Sequence, residues 1–144
     1  MRQHVVYREL DSDLLGYYDP VTDTLNVDPR LPKRDRHLTL VHEGFHKLGH
    51  HGPAPAPVQL AREVAVEAMT AMYFISFRAL LDAFIQCAGP EDMAAFLHVD
   101  KGLIYARFLS LTKLEQVMLQ TCGRHCIGVD TREPTVREPI VGQN

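Results

Sequence analysis

The sequence predicts an α+β fold, in which a small N-terminal antiparallel β-sheet, in essence a hairpin, packs on a bundle of helices. Three observations carry this expectation. Short runs of β-branched and aromatic residues separated by turn residues occupy the first third of the chain. From about residue 34 onward, apolar residues recur at the helical period. Clusters of glycine and proline mark the joins between the helical runs.

Taken in order, Val5, Val6 and Tyr7 suggest a first strand. Gly16-Tyr17-Tyr18-Asp19, Pro20-Val21-Thr22-Asp23 and Thr24-Leu25-Asn26-Val27-Asp28 read as strand, turn and strand, and Asp28-Pro29 and Leu31-Pro32 stop the second strand. Leu38, Val41, Phe45 and Leu48 then form the core-facing stripe of a helix that ends near His50, where Gly49, Gly52, Pro53, Pro55 and Pro57 follow. Pro57 suits the first turn of the next helix. The run from Val58 to about Ala88 is apolar nearly all round its middle, through Met69, Met72, Tyr73, Phe74, Ile75 and Phe77. It reads as the central buried helix, bent or broken near Ser76, and its Met and aromatic stripe as core. Gly89-Pro90-Glu91-Asp92 ends that run and starts another helix with acids in its first turn. A helix through Leu103 to Phe108 precedes Thr112-Lys113-Leu114-Glu115, a capping box that opens the last helix. These two helices resemble a helix-turn-helix, but no basic cluster leads the second, so they read as packing. Cys122, His125 and Cys126 offer metal-ligand chemistry without an evident fourth ligand; the plainer reading is a helix end capped by Gly123. The expected organisation is one domain over 1–128, β-rich over 1–33 and helical over 34–128, followed by a flexible tail over 129–144.

At 144 residues the chain is long enough to bury a core without disulfides. A formal net charge of −3, with only Lys33, Arg34 and Arg36 as a local basic cluster, gives no reason to expect nucleic-acid binding. The N-terminus lacks the apolar core of a signal peptide. The most apolar stretch, Ala68 to Phe77, is interrupted by Thr70 and Ser76 and is too short for a bilayer. Three cysteines agree with a reducing compartment, so a soluble cytoplasmic protein without membrane contact is expected.

The segment Val41-His42-Glu43-Gly44-Phe45-His46 contains an H-E-x-x-H motif inside a predicted helix. Residues four apart share a helix face, so His42 and His46 can direct imidazole nitrogens at one metal ion while Glu43 stands beside them as a general base. With eight histidines in the chain, such a match arises by composition with a probability on the order of a few per cent. The surroundings therefore matter, and the next helix supplies acids at Glu63 and Glu67 that could complete a ligand set. In an antiparallel pair, the partner of His46 should lie one to two turns into the second helix, which favours Glu63 as third ligand. Glu67 would then accept the second ring N–H of His42, although the reverse assignment, with Glu67 as ligand, stays open. His50, His51, Tyr17 and Tyr18 are candidates for stabilising an oxyanion. A strand running beside such a helix could pair with an extended substrate backbone.

On these residues the chain resembles the ImmA/IrrE family of metallopeptidases. The resemblance runs from about Gly16 to Gly123. It is carried by Gly16-Tyr17-Tyr18-Asp19, Thr24-Leu25-Asn26-Val27-Asp28-Pro29, Arg36-His37-Leu38-Thr39-Leu40-Val41-His42-Glu43, the acid-bearing helix and Phe108-Leu109-Ser110-Leu111. The chain departs from the family pattern at Gly44, at Val66 and Glu67, and at Met69-Thr70. The resemblance implies a zincin-like minimal metallopeptidase of the gluzincin type that cleaves a helix-turn-helix repressor of a phage, mobile element or stress operon. The expected activity is a zinc-dependent endopeptidase, with Mn2+ or Fe2+ as other ions the same donors could hold, His42, His46 and Glu63 as ligands and Glu43 as the catalytic residue. The rival expectation is an inactive metal-containing binding module that regulates a partner protein, which a sphere closed by both Glu63 and Glu67 would favour.

Overall fold

The computed structural model describes residues 4–11 and 13–126; the expected tail over 129–144 lies outside the described residues. Among the described residues three strands come first, β1 (Val5–Tyr7), β2 (Gly16–Asp19) and β3 (Thr24–Val27), followed by six helices. The hairpin forms as expected, with β2 antiparallel to β3 and Tyr17 opposite Asn26. The sheet is mixed, however, and not wholly antiparallel: its order is β1-β3-β2, and β1 joins β3 in parallel with Val5 opposite Leu25. A parallel pair needs a long crossover, and segment 8–23, which contains β2, supplies it. As the central strand, β3 has Leu25, Asn26 and Val27 all buried.

Local polar chemistry shapes this region. Asp19 turns the hairpin by accepting from the Val21 N–H at 2.9 Å and the Thr22 hydroxyl at 2.8 Å. Asp28 accepts from the Leu10 N–H at 3.0 Å, the Arg30 N–H at 2.9 Å and the Arg30 guanidinium at 2.6 Å. The Arg30 side chain, then the Leu10 N–H, holds the Asp28 carboxyl well below the usual carboxylate range.

Helix α1 (Lys33–Leu48) contacts both β2 and β3. The close approach requires glycine at 16, where a Cβ would stand 2.5 Å from Thr39 Cγ2 and 2.8 Å from the Asn26 carbonyl oxygen. The buried residues of α1 are Thr39, Gly44 and His46. The expected apolar stripe is therefore displaced: Leu38, Val41 and Phe45 are half-buried and Leu48 is exposed. Helix α1 ends in a doubly hydrogen-bonded left-handed stop, in which the His51 N–H donates to the His46 carbonyl and the His50 N–H to the Lys47 carbonyl, both at 3.0 Å. The left-handed residue is His50 (φ 49°), and Gly49 keeps helical geometry.

The long apolar run is broken as expected, into α2 (Ala56–Phe74) and α3 (Phe77–Gln86). Ser76 caps α3 by accepting from the Ala79 N–H at 3.1 Å. Helix α2 is not buried all round. Val66, Thr70 and Ala71 are covered while Met69, Met72 and Tyr73 are exposed, because apolar periodicity cannot say which faces find neighbours. Helices α4 (Pro90–Leu97), α5 (Lys101–Leu109) and α6 (Lys113–Cys126) follow. The capping box forms at α6, where Thr112 and Glu115 exchange hydrogen bonds of 2.9 and 3.2 Å. This helix continues through Gly123 to Cys126, so Gly123 is not its cap.

The chain groups into two compact units, Met1–Thr70 and Ala71–Asn144. In the second, α3 packs on α4 and α6, and α4 on α5, around Ile75, Leu80, Phe84, Ile104 and Leu119. Its buried Arg107 donates to the Ile75 carbonyl at 2.8 Å and to Ser110 and Glu115. Among the described residues, no single helix is long and apolar enough to cross a membrane.

Candidate metal centre

Spacing of four on α1 brings the Nε2 atoms of His42 and His46 to 3.3 Å from one another, with the rings edge-on and their centroids 5.0 Å apart. Glu63, on α2, closes the triangle: its Oε2 lies 3.5 Å from His42 Nε2 and its Oε1 3.2 Å from His46 Nε2. Arg62, the residue before it, donates to the Gly52 carbonyl at 2.8 Å and so ties the start of α2 to the connection leading out of α1. Tetrahedral coordination with bonds of about 2.0–2.1 Å sets neighbouring donor atoms about 3.3–3.4 Å apart. The His42–His46 edge matches that spacing, each imidazole meets one Glu63 oxygen, and with one ligand atom from each residue all within 4.8 Å of one another the His42-His46-Glu63 group could hold a metal ion.

Glu67 does not join this group. It is exposed and makes no hydrogen bond or ion pair among the described residues, so its expected contact with His42 is absent. Four residues along a helix bring a rise of about 6 Å and a turn of about 40°, enough to carry Glu67 past the donors that Glu63 reaches.

Glu43 stands next to His42, and its Oε2 accepts from the backbone N–H of Tyr18 at 3.0 Å. The ladder explains why that amide is available. Leu25, opposite Tyr18, donates its own N–H to the His4 carbonyl on the β1 side, so Tyr18 belongs to a non-hydrogen-bonded pair and its N–H leaves the free edge of β2. Burial pushes the Glu43 carboxyl above the usual carboxylate range, opposed by His42 and the Tyr18 N–H and reinforced by Glu63. Burial likewise pushes the His46 imidazole down, against the pull of Glu63. His46 is thus favoured in the neutral form that can ligate.

The oxyanion candidates fare unevenly. The Tyr18 hydroxyl donates to Asp23 Oδ1 at 3.0 Å, and Asp23 also receives Lys47 Nζ at 3.1 Å, an arrangement that ties the hairpin turn to the end of α1. The Nδ1 of His51 lies 2.9 Å from His46 Nδ1, behind the ring and away from the converging donor atoms. His50 is exposed, and Tyr17 has no contact that assigns it a part. Of the Cys122-His125-Cys126 cluster only the Cys122 side chain is described, and it is half-buried. Tyr18 and His51 were expected only as oxyanion candidates, and the parts they take, the Tyr18 amide on Glu43 and the His51 ring on His46, were not foreseen. The first leaves no side-chain signal, whereas the second was readable in the spacing of Gly49-His50-His51 after the motif.

No protein-family model, curated protein or solved structure matches this chain.

Proposed function

We propose that the protein is a zinc-dependent endopeptidase that hydrolyses a peptide bond in a protein substrate. The convergence of two imidazoles and one carboxylate at 3.2–3.5 Å, with a second carboxylate fixed beside them, is the observation that carries this reading. An ion held by His42, His46 and Glu63 would supply Lewis-acid polarisation of the scissile carbonyl and lower the pKa of the attacking water. Manganese or iron would suit the same donors.

The chain's own groups account for the proton traffic. Glu43 has one oxygen anchored by the Tyr18 amide, which leaves Oε1 to take the proton of the attacking water and return it to the leaving amine. Burial, by raising the affinity of that carboxyl for protons, brings it nearer the range of a working general base. With Glu67 exposed and outside the group, the described residues would supply an ion with three donors, the number a catalytic zinc site uses beside water or substrate, which supports a hydrolase over a binding module with a closed sphere. The free edge of β2 beside Glu43 is a surface on which an extended peptide could add as a further strand. A helix-turn-helix repressor as the substrate follows from the resemblance to the ImmA/IrrE metallopeptidases and is part of the same proposal.

Metal content of untagged protein tests the centre: about one equivalent in wild type and none in His46→Ala supports it, and no metal in either after zinc reconstitution overturns it. For the chemistry, cleavage of a peptide library by zinc-loaded protein should fall by about 10²–10⁴-fold in Glu43→Gln while zinc remains bound. Equal cleavage by that variant would remove Glu43 from its role.

A further inference from the structure

The stop of helix α1 places two histidines where an ordinary helix end would carry an apolar contact. Such a stop brings the second residue beyond the cap against the residue one turn back. Here those two positions are His51 and His46, and instead of an apolar pair they form an imidazole pair with Nδ1 to Nδ1 at 2.9 Å and ring centroids at 5.2 Å. Gly49 makes room for it: a Cβ at 49 would clash with the Nε2 edge of the His51 ring, 2.6 Å from Cδ2 and 2.9 Å from Cε1. His50 in the left-handed conformation turns the backbone so that the ring can fold back. The glycine therefore serves the imidazole contact, and the change of chain direction falls to the residue after it.

We infer that His51 is a positioning residue that selects the ligating tautomer of His46. This rests on the metal reading of the site. With His46 Nε2 directed at His42 Nε2 and Glu63, a lone pair is required there, so the ring proton sits on Nδ1. That proton is donated to His51 Nδ1, which must be unprotonated, and the His51 proton sits on its Nε2. Partners of this kind orient ligand histidines and hold their basicity, and losing one typically weakens metal binding about 10–100-fold.

The test is zinc affinity of untagged protein, measured by competition with a chromophoric chelator. His51→Leu fills the space without an acceptor and should bind zinc about 10–100-fold more weakly. His51→Asn places an amide oxygen near the position of Nδ1 and should recover most of that loss, which a role in packing alone would not produce. Gly49→Ala keeps an allowed helical conformation, since Gly49 has φ −81°, yet its methyl displaces the ring, so its affinity should fall toward that of His51→Leu. A leucine variant with wild-type affinity, an asparagine variant no better than leucine, or an unaffected Gly49→Ala overturns the inference and leaves the peptidase reading standing. Failure of wild-type protein to bind zinc overturns both.

Discussion

In the unit Met1–Thr70 the buried apolar residues are Leu10, Leu25, Val27 and Val66, and beside them Asn26, Asp28, Thr39, His46 and Thr70 are buried as well. In Ala71–Asn144 a longer apolar set, including Ile75, Leu80, Phe84, Met93, Ile104, Phe108 and Leu119, encloses one buried charged residue among the described residues, Arg107. The two orphaned buried side-chain atoms among the described residues, Asn26 Oδ1 and Arg36 Nε, both fall in the first unit. Buried polar groups cost free energy unless they are satisfied, so the unit that carries the candidate site relies on hydrogen bonds and charge placement where the other relies on apolar burial. The site region is therefore stabilised less by its own apolar packing, and so has more to gain from a bound ion.

The largest expected effect tests the apolar side of the contrast. Phe84→Ala should lose about 3–5 kcal/mol in denaturant unfolding, with the zinc affinity of the folded variant unchanged. A concurrent fall in zinc affinity would break the contrast. Next, zinc at about a hundred times its dissociation constant should add about 2.7 kcal/mol to the site region. Amide exchange should slow in α1 and at Glu63 more than in α3 to α6, and uniform protection would mean the two units share one stability.

A smaller effect comes from Asp28. Its carboxyl is held below its ordinary value in the folded chain, so the ionised group contributes stability that is present above an unfolded pKa of about 4 and fades as pH falls toward the depressed folded value. Asp28→Asn should therefore melt earlier than wild type at neutral pH, and the gap should narrow in acid. A gap of the same size at both pH values would trace the loss to shape and not to charge. The smallest change is Thr112→Ala, which removes one half of the capping box on α6 and should cost about 1 kcal/mol in the second unit without altering zinc content.

Much of the site was legible because its signals are local. His42 and His46 share a face by spacing alone, Glu63 followed from helix rise and the length of the connection, and Thr112 with Glu115 announced a cap through adjacent side chains. What escaped depends on tertiary neighbours. Parallel pairing of β1 leaves no trace in its own three residues. The exposure of Leu48, Met72 and Tyr73 reflects which helix faces are covered, which periodicity cannot convey. Glu67 resembled a partner for His42 because it lies one turn from Glu63, but the helix carries it round by about 40°. The helix was expected to stop near His50 among glycines and prolines, but that the left-handed residue is His50 itself could not be read from the spacing.

The anchor on Glu43 is a main-chain amide, which has a consequence for how the sequence can drift. Every amino acid except proline offers that N–H, so position 18 can vary while the carboxylate stays seated, at the cost of the hydroxyl contact with Asp23 and of the half-buried ring's packing. Position 16, two residues earlier on the same strand, has no such latitude, because any side chain there meets Thr39 and the Asn26 carbonyl. A library randomised at both positions and selected for a working site would come back diverse at 18 and almost invariant at 16.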